Sequence, residues 1–221
     1  MIALANAAPR VSVHFTRMVA KGEAGAHAGF EERMRMQIEH CAESAALLAM
    51  VKPKVIVMAH AGMSAVLGQK GEAELIRKIE REHGIPFVTA FGAVLAALGQ
   101  LGAKRVALGT PYDADSTART KAHLEAHGIE VVSHGRLDNV KNIYDETLER
   151  ARGLARKVDV PAAQAVFLSG LGMPTVGAIE AMERDLGKPV VSGATAAMWN
   201  ALRVAGEPVE LAGFGRLLGG V

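Results

Sequence analysis

The sequence predicts an α/β protein of two pseudo-symmetric lobes, each a parallel sheet flanked by helices. Three observations carry this. Short apolar runs alternate with longer helical patterns along the 221 residues, the arrangement of βαβ units around a parallel sheet. Half of the residues are hydrophobic and 22% are charged, enough apolar surface for a substantial core. The third is an internal repeat: Ile79-Glu-Arg-Glu-His-Gly-Ile-Pro-Phe-Val88 returns as Met182-Glu-Arg-Asp-Leu-Gly-Lys-Pro-Val-Val191.

Element by element, Val11–Phe15 alternates like a first strand, and Phe30–Val51 reads as one helix. Val55–Met58 is a buried-type strand. Glu72–His83 is an amphipathic helix that Gly84 stops, with a proline close behind. Pro86–Thr89, Arg105–Gly109, Ile129–Val132, Ala165–Leu168 and Pro189–Val191 read as strands. The helices between and after them fall at Phe91–Leu101, Ser116–His127, Asn142–Lys157, Val176–Leu186 and Thr195–Ala205.

Each copy of the repeat follows a strand and a Gly-Met turn, Val55–Met63 or Ala165–Met173. Each precedes an Ala-rich helix that ends near Gly102 or Gly206. A duplicated β–loop–α–β–α unit builds two facing lobes, expected at 1–95 with 206–221 and at 96–205. The cleft between them, at the strand ends, is the expected active site.

Composition excludes several classes. The formal charge is +2 with both signs interspersed, and no basic stripe with aromatics suits nucleic acid. The single cysteine, Cys41, rules out an internal disulfide and a cysteine-rich zinc site. Met1–Ala8 is apolar without a basic leader, and no apolar run approaches the ~18 residues of a membrane span. A cytoplasmic protein is expected. Ala-rich helices carrying Leu and Met suggest a subunit interface, hence a homo-oligomer. The histidines at 27, 40, 83, 123, 127 and 134 form no metal-ligand spacing, and no glycine-rich phosphate loop is present.

The segments Leu98–Tyr112, Phe167–Thr175 and Glu183–Ser192, with Trp199 and the tail Gly213-Phe-Gly-Arg-Leu217, resemble the aspartate/glutamate racemase superfamily, in its maleate isomerase and arylmalonate decarboxylase branch. The resemblance implies a cofactor-independent enzyme working at the carbon next to a carboxylate of a small (di)carboxylate. Its enediolate would be held by backbone N–H groups and hydroxyls, and a thiol in each lobe would carry the proton or add to the double bond. This chain departs at both thiol positions. Gly170 stands in the second lobe, where its lack of a side chain is expected to leave room for a larger substrate. In the first lobe the thiol would fall near His60. Ala61 and Gly62 stand where the decarboxylases have hydroxyls, whereas Tyr112 matches.

His60, after a buried strand in a loop of small residues, is the candidate acid–base group; a histidine satisfied by backbone is the plain alternative. Tyr112 is the candidate phenol donor to the developing charge. Gly170, Leu171 and Gly172 offer backbone N–H groups. Ser169 and Ser64 offer hydroxyls, although Ser64, Ser169 and Thr175 are equally explained as helix caps. Arg17 can clamp a carboxylate. Asp113 and Asp115 read as helix N-terminal acids, and Trp199 as packing. A decarboxylase-like lyase or an isomerase with non-cysteine chemistry fits these residues. A hydrolase with His60 positioning water, or a carboxylate-binding protein without turnover, stays open beside it.

Overall fold

The computed structural model describes Leu4, Ala8, Ala26 and residues 10–23, 28–207 and 210–220. His27 and most of Met1–Ala8 lie outside them.

The chain runs α1 (Phe30–Glu39), α2 (Cys41–Ala49), β1 (Ile56–Met58), α3 (Ala61–His83), β2 (Phe87–Thr89), α4 (Ala90–Gln100), β3 (Arg105–Thr110) and α5 (Ala114–Ala126). It continues through β4 (Glu130–Arg136), α6 (Leu148–Val158), β5 (Ala165–Leu168), α7 (Ile179–Leu186), β6 (Val190–Ser192) and α8 (Gly193–Val204). All described strand pairs are parallel, in a two-stranded sheet β1-β2 and a four-stranded sheet β4-β3-β5-β6. The chain is thus an α/β fold of two parallel sheets flanked by helices.

The repeat is structural. Val57 pairs with Val88 in one sheet and Phe167 with Val191 in the other, the positions the repeat equates. The first glutamate of each copy reaches forward to the strand that follows. Glu80 accepts the N–H of Phe87 at 3.0 Å and Glu183 that of Val190 at 2.9 Å. Gly84 and Gly187 close the preceding helices at φ 65° and 69°, a left-handed cap that glycine adopts without steric cost. Thr89 caps α4 through the N–H of Gly92, and Ser192 caps α8 through that of Thr195. These equivalent helices pack together, and Phe91, Ala97 and Leu98 share one buried cluster with Ala196, Trp199 and Leu202. Separate clusters fill the outer side of each lobe: Met34, Ile56, Met63, Ile79 and Phe87 in one, Leu154, Val166, Leu168, Ile179 and Met182 in the other.

Four expectations are corrected. Val11–Phe15 forms no strand. Val11 and Val13 are half-buried, Ser12 and His14 exposed, so the side chains alternate. The backbone, however, does not join β1, and a cavity of about 420 Å³ is lined by both segments. Phe30–Val51 is two helices, broken at His40 (φ −96°, ψ 5°). The helix expected from Glu72 begins at Ala61 and is interrupted at Gly68 (φ 65°, ψ 173°), so only its later half showed an unbroken pattern. Finally, 3₁₀ turns at Ile143–Asp145 and Val176–Ala178 precede α6 and α7.

Candidate active site

The C-terminal ends of β1, β3 and β5 deliver the residues that follow them to one cleft. Ala61 and Gly62 come from the β1 side, Tyr112 from β3 and Ser169 from β5. Phe30, Ala65, Val66 and Phe91 close it on the first-lobe side, and Ser116, Arg119 and Thr120 of α5 line the other. The cleft encloses about 20 Å³, room for about one water. Anything larger than a water fits only if the side chains that close it move.

Tyr112 follows Pro111 where β3 ends, just before Asp113 caps α5 by accepting the N–H of Ser116 at 2.7 Å. Burial raises the Tyr112 phenol to about 12, against a hydrogen bond with the Ser169 hydroxyl that favours ionisation. The phenol thus keeps its proton at neutral pH and serves as a donor. Ser169 is buried, and its N–H donates to Gly109 O at 2.9 Å. Gly170 has φ +95° and lies under Pro111 and Tyr112. A β-carbon at Gly170 would stand 2.7 Å from Pro111 Cγ and 3.4 Å from the phenol oxygen. The space expected beside this glycine is filled by Pro111, which corrects the idea that it opens the site. Among the described residues no acceptor meets the N–H groups of Gly170, Leu171 and Gly172, so three consecutive donors follow Ser169, of which Gly170 lies against the phenol. Leu171 packs on Gly193 and Gly172 on Ile143 and Tyr144, which fixes the turn that presents them.

His60 is the residue before α3, with no capping bond from its side chain. The loop expected around it is already helix from Ala61. A β-carbon at Gly62 would lie 3.1 Å from His60 Cε1 and 3.3 Å from Phe30 Cζ. The imidazole thus sits behind Gly62 beside Phe30 and does not itself line the cleft. Its Nδ1 is buried without a partner. Burial first, with the charge of Arg33 as a smaller cause, lowers its pKa to about 4, against a backbone hydrogen bond. His60 is neutral at pH 7. Arg33 is buried and spends its guanidinium on the carbonyls of Ala26 and Ala28.

The remaining candidates fall elsewhere. Ser64 is fully buried within α3 and donates to Glu72 Oε1 at 2.6 Å. Arg17 is exposed, and its carbonyl accepts the Ser44 hydroxyl at 3.3 Å. Thr175 makes no capping bond. Trp199 is buried in the core, with Arg203 5.5 Å from its ring. Cys41 is buried in α2 against Met58, its sulfur 3.8 Å from Met58 Sδ, and burial pushes its thiol up to about 11. Among the described residues no group of three or more His, Cys, Asp and Glu is placed to hold a metal ion, and no helix is long and apolar enough to cross a membrane.

The sequence reading missed Phe30, Phe91 and the α5 face of Ser116, Arg119 and Thr120. The spacing of 116, 119 and 120 places all three on one side of the helix that starts just after Tyr112, and that signal was present.

A profile of the arylmalonate decarboxylase family matches residues 16–218. The chain belongs to that family. Arylmalonate decarboxylase of Bordetella bronchiseptica is 32% identical over 189 residues, 81% of this chain and 77% of its own. Maleate isomerase of Nocardia farcinica is 35% identical over 130 residues, 58% of this chain and 52% of the isomerase, so that match spans about half the length of the relative. Among solved structures, a cysteine-to-serine variant of the Nocardia farcinica maleate cis-trans isomerase, with a covalently bound succinylcysteine intermediate, superposes with a TM-score of 0.85 at 27% identity. It covers 94% of this chain and 85% of the isomerase. The named relatives are thus a lyase and an isomerase.

Proposed function

We propose that this chain is a cofactor-independent enzyme acting at the carbon next to a carboxylate of a small (di)carboxylate. In this reading it is a decarboxylase-like lyase, or an isomerase, that works without a thiol. The observation that carries the reading is the pairing of the protonated Tyr112 phenol with Ser169 in the cleft lining, followed in the chain by the three unpaired N–H groups of 170–172. Donors fixed in place before charge develops are what an enediolate requires.

In a decarboxylation the bond between the α-carbon and one carboxylate breaks and CO₂ leaves. The electron pair moves into the remaining carboxylate as an enediolate, whose oxygens the N–H groups at 170–172 and Ser169 hold. Tyr112 gives its proton to the α-carbon, and water returns one to the phenolate. A phenol held near 12 is a strong enough acid to protonate so basic a carbon and too weak to lose its proton beforehand. The succinylcysteine of the Nocardia isomerase has no counterpart here, because Cys41 is buried away from the cleft lining. Decarboxylation, which needs one proton donor, is therefore better supported than isomerisation by thiol addition.

The hydrolytic alternative needs His60 to hold water at the cleft, and its ring behind Gly62 gives that little support. Binding without turnover has one observation in its favour: the cleft lining holds no His, Cys, Asp or Glu. Proton NMR of the protein with malonates, maleate and amino dicarboxylates in D₂O decides. Loss of CO₂, deuterium at the α-carbon or double-bond isomerisation supports the enzyme. Line broadening of ligands without any new product supports the binding protein.

A further inference from the structure

We infer that Arg119 is a specificity-determining residue that receives a second acidic group of the substrate at the mouth of the cleft. This rests on the reading of the cleft as a carboxylate site, and adds where the other end of the ligand goes. Arg119 lies on α5 one turn beyond Ser116, and both line the same small space as Tyr112 and Ser169. Its Nη2 donates to Ser116 Oγ at 3.0 Å, which aims the guanidinium along the helix face toward the cleft. Among the described residues its ion-pair partner is Glu31, 3.9 Å from Nη1, a carboxylate 86% exposed. So solvated a pair holds the arginine weakly, and a ligand acid can replace Glu31 at little cost.

The other lining side chains are apolar or hydroxyl-bearing. Arg33, the nearby buried cation, is committed to two backbone carbonyls. Arg119 is thus the cation offered to a ligand by the cleft wall. Its planar fork suits a carboxylate bidentately. The closed cleft of about 20 Å³ holds about one water until its side chains part, so an incoming acid meets the rim first. There the Arg119 side chain stands 42% exposed.

The test is a calorimetric titration with succinate and with butyrate, ligands of equal carbon length that differ by one carboxylate, against wild type, Arg119→Gln, Arg119→Lys and Tyr112→Phe. Wild type is expected to bind succinate about tenfold or more tighter than butyrate. Arg119→Gln should bring the two within about twofold with butyrate binding unchanged, and Arg119→Lys, with charge but no fork, should recover part of the preference. An equal preference in wild type and Arg119→Gln, no preference in wild type, or no binding of either ligand overturns the inference. Tyr112→Phe separates it from the reading beneath: it should weaken both ligands alike. If it weakens neither while Arg119→Gln abolishes the preference, the role of Arg119 stands and the donor cradle falls.

Discussion

Gly170 lies directly against Tyr112. At φ +95°, its missing β-carbon would stand 3.4 Å from the phenol oxygen and 2.7 Å from Pro111 Cγ. The position where the family resemblance would put a cysteine is one that this backbone and its neighbours close to any side chain. The departure extends beyond one substitution, because Pro111 and Tyr112 occupy the place such a side chain would need.

Gly170→Cys is therefore expected to destabilise the protein and displace Tyr112. A left-handed φ together with a contact under 3 Å costs about 1–3 kcal/mol, and each kcal/mol lowers Tm by about 2–4 °C in a chain of this size. Calorimetry checks it. An unchanged Tm would mean that the turn flips to accept the side chain.

His60 sets a pH dependence. Its folded pKa, about 4, lies below the ordinary value, so the unfolded chain takes up a proton first as pH falls. The stability it contributes is complete above about pH 6.5 and is lost as pH drops toward 4. The loss reaches about 2 kcal/mol by pH 5. The buried His123, also held below its usual value by burial and by His127, acts in the same direction. Urea denaturation at pH 7.5 and 5 should show the decline, and His60→Gln should flatten it. An imidazole resonance of His60 titrating near pH 6.5 would contradict the burial described.

Glu80 and Glu183 make the same forward bond, but Glu183 also accepts the N–H of Arg216 at 2.8 Å, tying the C-terminal tail to α7. Glu183→Ala should cost more than Glu80→Ala. The difference is expected at about 1 kcal/mol, the net contribution of one further, part-buried hydrogen bond. Equal losses in chemical denaturation would show that the tail bond contributes nothing.

The repeat was readable because its glycine, proline and glutamate each do a local job: a left-handed cap, a strand start and a bond to the next strand. Tyr112, Ser169 and Gly170 were readable for a related reason, since they directly follow strands. Val11–Phe15 was misread because alternation specifies which side chains turn inward, and the pairing of its backbone depends on a partner that alternation does not describe. His60 showed its place after β1 but not the direction of its ring, which Phe30 and Gly62 decide from elsewhere in the chain. Ser64 was claimed by Glu72, two turns along α3. Arg119 and Phe30 reach the cleft only through the packing of α5 and α1.

The most direct measurement compares the rate of α-carbon chemistry in D₂O, followed by proton NMR on the substrate that responds best, for wild type, Cys41→Ala and Tyr112→Phe. Thiol-free chemistry predicts a Cys41→Ala rate within about twofold of wild type, and a Tyr112→Phe rate about 10²–10⁴ lower, as for loss of the proton donor to the α-carbon. A folded Cys41→Ala protein without activity, or a Tyr112→Phe protein with full activity, would contradict it.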